Sequence, residues 1–182
     1  RAEAPSSLIG SGAMEEPQGP ELRGERDELR ESLGRIGVWS FALESLTAAE
    51  EREAVAEIES FEYGTIWFPE SVESREVFAH AGWILASTQR ALVVSGIANI
   101  WARDPTAMAN GWRMLTDAYP ERFVLGVGVS HAGSVARRGG TYERPYTAMR
   151  DYLDSMNRAP SSAPENDWTP RLVLAALGPR ML

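Results

Sequence analysis

Apolar positions along this chain follow two alternating periods. From Gly34 onward, short runs of consecutive apolar residues are separated by longer stretches in which apolar residues recur every three or four positions. This is the signature of buried strands alternating with amphipathic helices. Ile36-Gly37-Val38-Trp39-Ser40-Phe41 is the first predicted strand. Thr47-Ala48-Ala49-Glu50 has the form of a capping box, and Val55, Ile58 and Phe61 share a face beyond it, so a helix is predicted from about Ala48 to Glu62. Thr65-Ile66-Trp67-Phe68 is strand two, closed by Pro69-Glu70-Ser71. Val77, Ala81, Ile84 and Leu85 mark a second helix, and the run from Arg90 to Asn99 is strand three. Asp104-Pro105 starts a third helix that carries Met108, Trp112, Leu115 and Tyr119 on its inward face.

The fourth strand organises the rest. Phe123-Val124-Leu125 passes without a break into Gly126-Val127-Gly128-Val129-Ser130-His131, an apolar run buried on both faces whose glycines invite close approach of another group. The backbone around Gly128 and Ser130 is therefore a candidate ligand contact. A loop containing Gly139-Gly140 leads to a helix from about Pro145 to Met156, residues Asn157 to Pro170 form a Pro/Ser/Asn-rich connection, and Leu172-Val173-Leu174-Ala175 is strand five. Strands that alternate with helices, each apolar throughout, imply right-handed βαβ units and a parallel sheet. An open doubly wound sheet and part of a (β/α)8 barrel both satisfy this. Gly126-x-Gly128-x-x ends in His131 rather than glycine, so the dinucleotide fingerprint is rejected. Residues 1–34 stand outside the core as an arm of loop chemistry or a remnant of expression. Leu22, Leu29 and Leu33 form a thin helical stripe, open to a docked helix or a frayed one.

Composition removes several function classes. A net charge of −8 and the absence of a basic stripe argue against nucleic acid and for a small-molecule partner. There is no cysteine, which excludes disulfides and thiolate-held metals, and no His/Asp/Glu cluster has metal-ligand spacing. All 18 basic residues are arginine, so Schiff-base chemistry is excluded while bidentate anion binding is not. No apolar run approaches the roughly 20 residues of a membrane span, and the expected location is the cytoplasm.

Several segments in order carry a resemblance: Arg35-Ile-Gly-Val-Trp39, Trp67-Phe-Pro-Glu-Ser71, Gly96-Ile-Ala-Asn99 followed by Asp104-Pro105, Glu121-Arg-Phe-Val-Leu-Gly-Val-Gly-Val-Ser-His131, Tyr146-x-x-Met149-x-x-Tyr152-Leu153-Asp154 and Leu174-Ala-Ala-Leu-Gly-Pro-Arg-Met181. Together they resemble the bacterial luciferase-like monooxygenase family, and most closely its branch of oxidoreductases dependent on the deazaflavin coenzyme F420, common in actinobacteria. The resemblance spans residues 35–182 and implies an α/β fold of the (β/α)8 TIM-barrel type with about the first five β/α units present. Such barrels hold about 250 residues and place their active sites at the C-terminal ends of the strands. Five strands leave open edges and an uncovered interior, so the expectation is a fragment, a truncated gene product or an obligate homo-oligomer, or a complementing chain.

The resemblance also implies roles. In the family, strand three ends in a bulge with a non-prolyl cis peptide beneath the cofactor's central ring, and Ser95, Gly96 and Ile97 fall there. Asn99 suits a hydrogen bond to the ring's polar edge or a strand cap. Glu70 stands where relatives carry an acidic residue beside a histidine used in hydride transfer; here Ser71 replaces that histidine. His131, at a strand mouth, suits a proton donor, a substrate contact or a structural hydrogen bond. Trp39, at the end of strand one, suits a substrate wall or the core. Tyr142, with Arg137 and Arg138, lies on a loop that could close over an anionic cofactor. His80 reads as helix packing or surface. The leading expectation is hydride transfer between coenzyme F420 and a small organic substrate. The alternatives are an FMN-dependent monooxygenase and a catalytically silent homologue serving as a binding or assembly subunit.

Overall fold

The computed structural model describes residues 20–164, 171–176 and 178. Most of the predicted arm, the last part of the connection ending at Pro170 and half of the Leu174–Met181 motif lie outside the described residues.

Five sequence runs become six short strands: β1 (Gly37–Trp39), β2 (Thr65–Phe68), β3 (Leu92–Ser95), β4 (Ala98–Asn99), β5 (Phe123–Gly128) and β6 (Arg171–Leu174). The predicted third strand is broken, and its halves β3 and β4 both run beside β5. All pairings are parallel, with Val38 opposite Ile66, Ile66 opposite Val93, Val94 opposite Val124 and Leu125 opposite Leu172. Spatial order is thus chain order. A doubly wound sheet would reverse direction at a switch point; sequential parallel strands are the opening units of a (β/α)8 barrel.

The helices are α1 (Pro20–Ser32), α2 (Ala48–Ser60), α3 (Val77–Ser87), α4 (Pro105–Ala118), α5 (Ala132–Arg137) and α6 (Pro145–Asn157). Local chemistry explains where they start. Thr47 Oγ1 accepts from Glu50 N while the Glu50 carboxylate accepts from Thr47 N at 2.8 Å, a complete capping box. Asp104 accepts from Thr106 N and Ala107 N at 2.9 and 3.0 Å, ahead of Pro105. Three expectations need correction. Strand one stops at Trp39, because Ser40 Oγ accepts from Ala42 N and turns the chain into a 3-10 helix at Ala42–Ser45. Phe61 is exposed at the end of α2 rather than on its buried face. The loop after His131 begins with the short helix α5.

The twofold period of the strands sorts side chains onto two faces. Ile66, Phe68, Val93, Phe123, Leu125 and Val127 form the main core with Val55, Val77, Ile84, Leu85, Met108 and Met149 of the helices. The opposite face, which lines a barrel's interior, buries Leu92, Val94 and Val124, with Trp67 and Val173 beside them. Leu29 of α1 and Leu33 dock on this inner face.

Candidate functional site

The break between β3 and β4 is the central feature. The peptide bond joining Gly96 and Ile97 is cis, and β4 resumes pairing at Ala98 opposite Val127. A break here would strand the backbone of β5, and Ser95 prevents that. Its buried hydroxyl accepts from Gly126 N and donates to Gly126 O, both at 2.9 Å. A Cβ on Gly126 would overlap the Ser95 carbonyl oxygen, and one on Gly128 would lie 2.8 Å from two carbons of the Ile97 side chain. The group that approaches the β5 glycines in the structure is therefore the neighbouring bulge. From β1, Trp39 Nε1 donates to Gly96 O at 3.0 Å, so the indole reaches over β2 to hold the bulge.

The polar groups beyond β2 and β4 are tied together. Both oxygens of Glu70 are committed: Arg103 grips them with Nη1 and Nη2, and Asn99 N donates to Oε2 at 2.8 Å. Glu76 binds the same guanidinium at 3.0 Å, and Tyr152 OH donates to Arg103 O at 2.8 Å. Burial works against the charge on Arg103, yet the hydrogen bond and charge of Glu70, with Glu76, raise its pKa on balance; burial pushes the Tyr152 hydroxyl up. Glu70 is thus a tie between two mouth loops, its oxygens bound to Arg103 and Asn99. Asn99 is buried on β4; Ala98 faces the helices, so the twofold period turns Asn99 to the inner side. Its Oδ1 accepts from Trp101 N at 3.0 Å, while its Nδ2, also buried, has no hydrogen-bond partner.

The remaining candidates are more open. Ser130 is half-buried with φ +57°, a left-handed turn that ends β5. His131 is exposed and makes no side-chain cap to α5. Tyr142 is half-buried in the following loop. That segment is held to the loop after β2 by the exposed Arg137–Glu73 pair and by Arg138 Nη2 donating to Ser71 O at 2.9 Å. Sequence reasoning missed a second cluster. His80 is buried with its Nε2 on Glu51, also buried, and its Nδ1 3.1 Å from Glu44 Oε1, an ion-pair contact without hydrogen-bond alignment. Arg75 binds Glu51 and the Leu43 and Leu46 carbonyls, and its own N donates to Glu44 at 2.9 Å. The loop after β2 is therefore a hub for the loops after β1, β4 and β5. A buried glutamate in an otherwise apolar helical stripe was the only sequence signal for it.

The model of the luciferase-like monooxygenase family matches residues 32–181. The chain belongs to the luciferase-like monooxygenase family. Solved members and neighbours share the fold at low identity. An F420-dependent secondary alcohol dehydrogenase in complex with an F420-acetone adduct is 17% identical with a TM-score of 0.66, over 81% of this chain and 54% of that one. The monooxygenase RslO1 from Streptomyces bottropensis is 14% identical at 0.63, over 78% and 53%. The oxygenating constituent of 3,6-diketocamphane monooxygenase from Pseudomonas putida, in complex with FMN, is 12% identical at 0.58, over 68% and 39%. This chain spans about half the length of the first two. No curated protein matches it.

In a (β/α)8 barrel the C-terminal mouths of the strands are where a ligand lies, and this chain's residues at the mouths of β3 and β4 suit a flat, mostly apolar ring with one polar edge. Ile97 and the two indoles supply apolar surface at the bulge, and Asn99 Nδ2 is a buried donor in want of an acceptor. Among the described residues no group of three or more His, Asp or Glu could hold a metal ion, and no helix is long and apolar enough to cross a membrane.

Proposed function

We propose that this chain carries the ring-binding part of a luciferase-like oxidoreductase that moves hydride between coenzyme F420 and a small organic substrate. One observation carries the reading: the Asn99 amide nitrogen, buried and partnerless on the inner face beside the Ser95–Ile97 bulge. A buried donor without an acceptor costs about 1–3 kcal/mol; an acceptor on the edge of a bound ring removes that cost. When bound, the deazaflavin supplies the hydride chemistry. The chain's residues do the rest. The Gly96–Ile97 segment supports the ring, Asn99 Nδ2 donates to its polar edge, and Trp39 shields it from water while its N–H fixes the Gly96 carbonyl. His131 exchanges the proton of a substrate hydroxyl at an imidazole nitrogen, since it is the exposed titratable ring at the mouth of β5. Glu70 and Ser95 act as positioning residues, through Arg103 and Gly126 respectively.

The fold relative solved with FMN favours a second reading, an FMN-dependent monooxygenase on the same shelf. Quenching of tryptophan fluorescence separates the two. The protein is titrated with coenzyme F420 and, separately, with FMN. Saturable quenching by F420 that weakens at least tenfold in Asn99→Ala is the expected result. Quenching by FMN alone selects the monooxygenase, and none by either from folded protein leaves the silent-subunit reading in its place.

A further inference from the structure

Two aromatic side chains at the mouth of β1 are more exposed than a core would leave them. Trp39 is 51% and Phe41 52% accessible, and their rings meet edge to face at 4.9 Å. They sit at an unusual place. Trp39 belongs to β1, yet its indole nitrogen bonds Gly96 O, two strands and therefore about 10 Å away across the sheet. A Cβ on Gly96 would lie 3.0 Å from Trp39 Nε1 and 3.2 Å from Trp67 Cε3, so both indoles lie against that α-carbon. Trp67 belongs to the inner-face cluster, which fixes the side of the sheet that Trp39 crosses. The exposed half of Trp39 therefore lines the same interior as the bulge.

The chemistry of this corner is uniform. Trp39 spends its only polar atom on Gly96, and Trp67 Nε1 donates to Thr65 Oγ1 at 3.0 Å. What the indoles leave facing outward is ring carbon, and Phe41 adds more. The charged side chains of the loops after β2 and β4 are paired: Glu70 and Glu76 with Arg103, Arg75 with Glu51, and Glu73 with Arg137. An anionic ligand moved onto this wall would lose its hydration and gain no free counter-charge from these side chains. The negative π faces of the rings further disfavour an anion, while an uncharged flat ring stacks offset or edge-on.

We propose that Trp39 and Phe41 form a specificity wall that selects an uncharged, flat, apolar substrate and rejects anionic ones of the same shape. This deepens the proposed function and rests on it for the word substrate; the wall itself is a binding claim. Two probes of one ring size test it by calorimetric titration of the protein: 2-naphthol and 2-naphthalenesulfonate. Saturable binding of 2-naphthol at least tenfold tighter than the sulfonate, reduced at least tenfold in the Trp39→Leu/Phe41→Leu double variant, is expected. Equal binding of the two, or 2-naphthol binding that the double variant leaves unchanged, overturns the wall. Comparison within the unsubstituted protein needs no variant to fold. Coenzyme F420 and FMN titrations run alongside keep the two claims apart. Cofactor binding without 2-naphthol binding overturns the wall alone, whereas wall-dependent 2-naphthol binding with no cofactor binding overturns the oxidoreductase reading and leaves a neutral-ring binding site.

Discussion

The two faces of the sheet are built to different ends. The outer face is closed: Phe68, Phe123, Leu125 and Val127 meet four helices and are buried. Among the described residues the apolar side chains buried on the inner face are Leu92, Val94 and Val124, and on it sit two glycines, a cis peptide, partly exposed indoles and an unpartnered amide. Hydrophobic burial drives the fold, so most of the stability resides on the outer face. The inner face tolerates features that add little to stability, as the proposed ligand-binding surface would.

The largest expected effect tests that division directly. Phe123→Ala, on the outer face, should destabilise by about 3–5 kcal/mol in urea titration, as large-to-small changes of a buried aromatic do. Val173→Ala, half-buried on the inner face, should cost under about 1 kcal/mol. Equal costs would end the distinction. Glu70→Ala comes next, at about 3 kcal/mol, since it leaves a largely buried guanidinium without its main partner. The same change should alter ligand affinity only through loop position; loss of turnover with stability and affinity intact would make Glu70 a participant in the chemistry instead. Ser95→Ala follows at about 2 kcal/mol, because it strands both the N–H and the carbonyl of Gly126. Ser95 joins the two faces, so this variant should also weaken cofactor quenching by about tenfold, which neither Phe123→Ala nor Val173→Ala should do.

The outer face was legible in the sequence, and the inner face was legible in part. Thr47 with Glu50, and Asp104 with Pro105, announce helix starts because a cap is a contact between near neighbours in the chain. The unbroken apolar runs within Thr65–Phe68 and Phe123–Gly128 announce buried strands. The break at Ser95 was hidden because Ser95-Gly96 interrupts an otherwise mostly apolar run too briefly to leave a periodic trace; only the family resemblance pointed there. The tie between Glu70 and Arg103 joins residues 33 positions apart, and His80 meets Glu51 across 29. Nothing local to either partner encodes such a meeting. Helix α5 was missed for a related reason: His131 provides no side-chain cap to it, so its start has no signature.

The smallest expected effect lies at the opposite end of the strands, where a carboxylate resembles Glu70 in its bonds and differs in its consequence. Glu59 accepts from Gln89 N, Arg90 N and Ala91 N at 3.0, 2.7 and 2.7 Å, holding the turn that feeds β3. Partial burial works to raise its carboxyl, but the three amides and the nearby Arg122 together hold it below the ordinary carboxylate value. A carboxyl depressed in the folded state stabilises the fold above its unfolded pKa, and that contribution is lost as pH falls through the folded value. Stability should therefore decline at acid pH more steeply in the parent than in Glu59→Gln, which keeps one acceptor oxygen and cannot titrate. At neutral pH the variant should cost about 1 kcal/mol, a small figure because Glu59 is mostly solvated and water screens its charge. Ligand quenching should be unchanged at every pH where the protein is folded, since this turn touches neither the bulge nor the mouth loops. A change in affinity there would mean that the two ends of β3 are mechanically coupled, and the division between a stabilising end and a binding end would have to be given up for this strand.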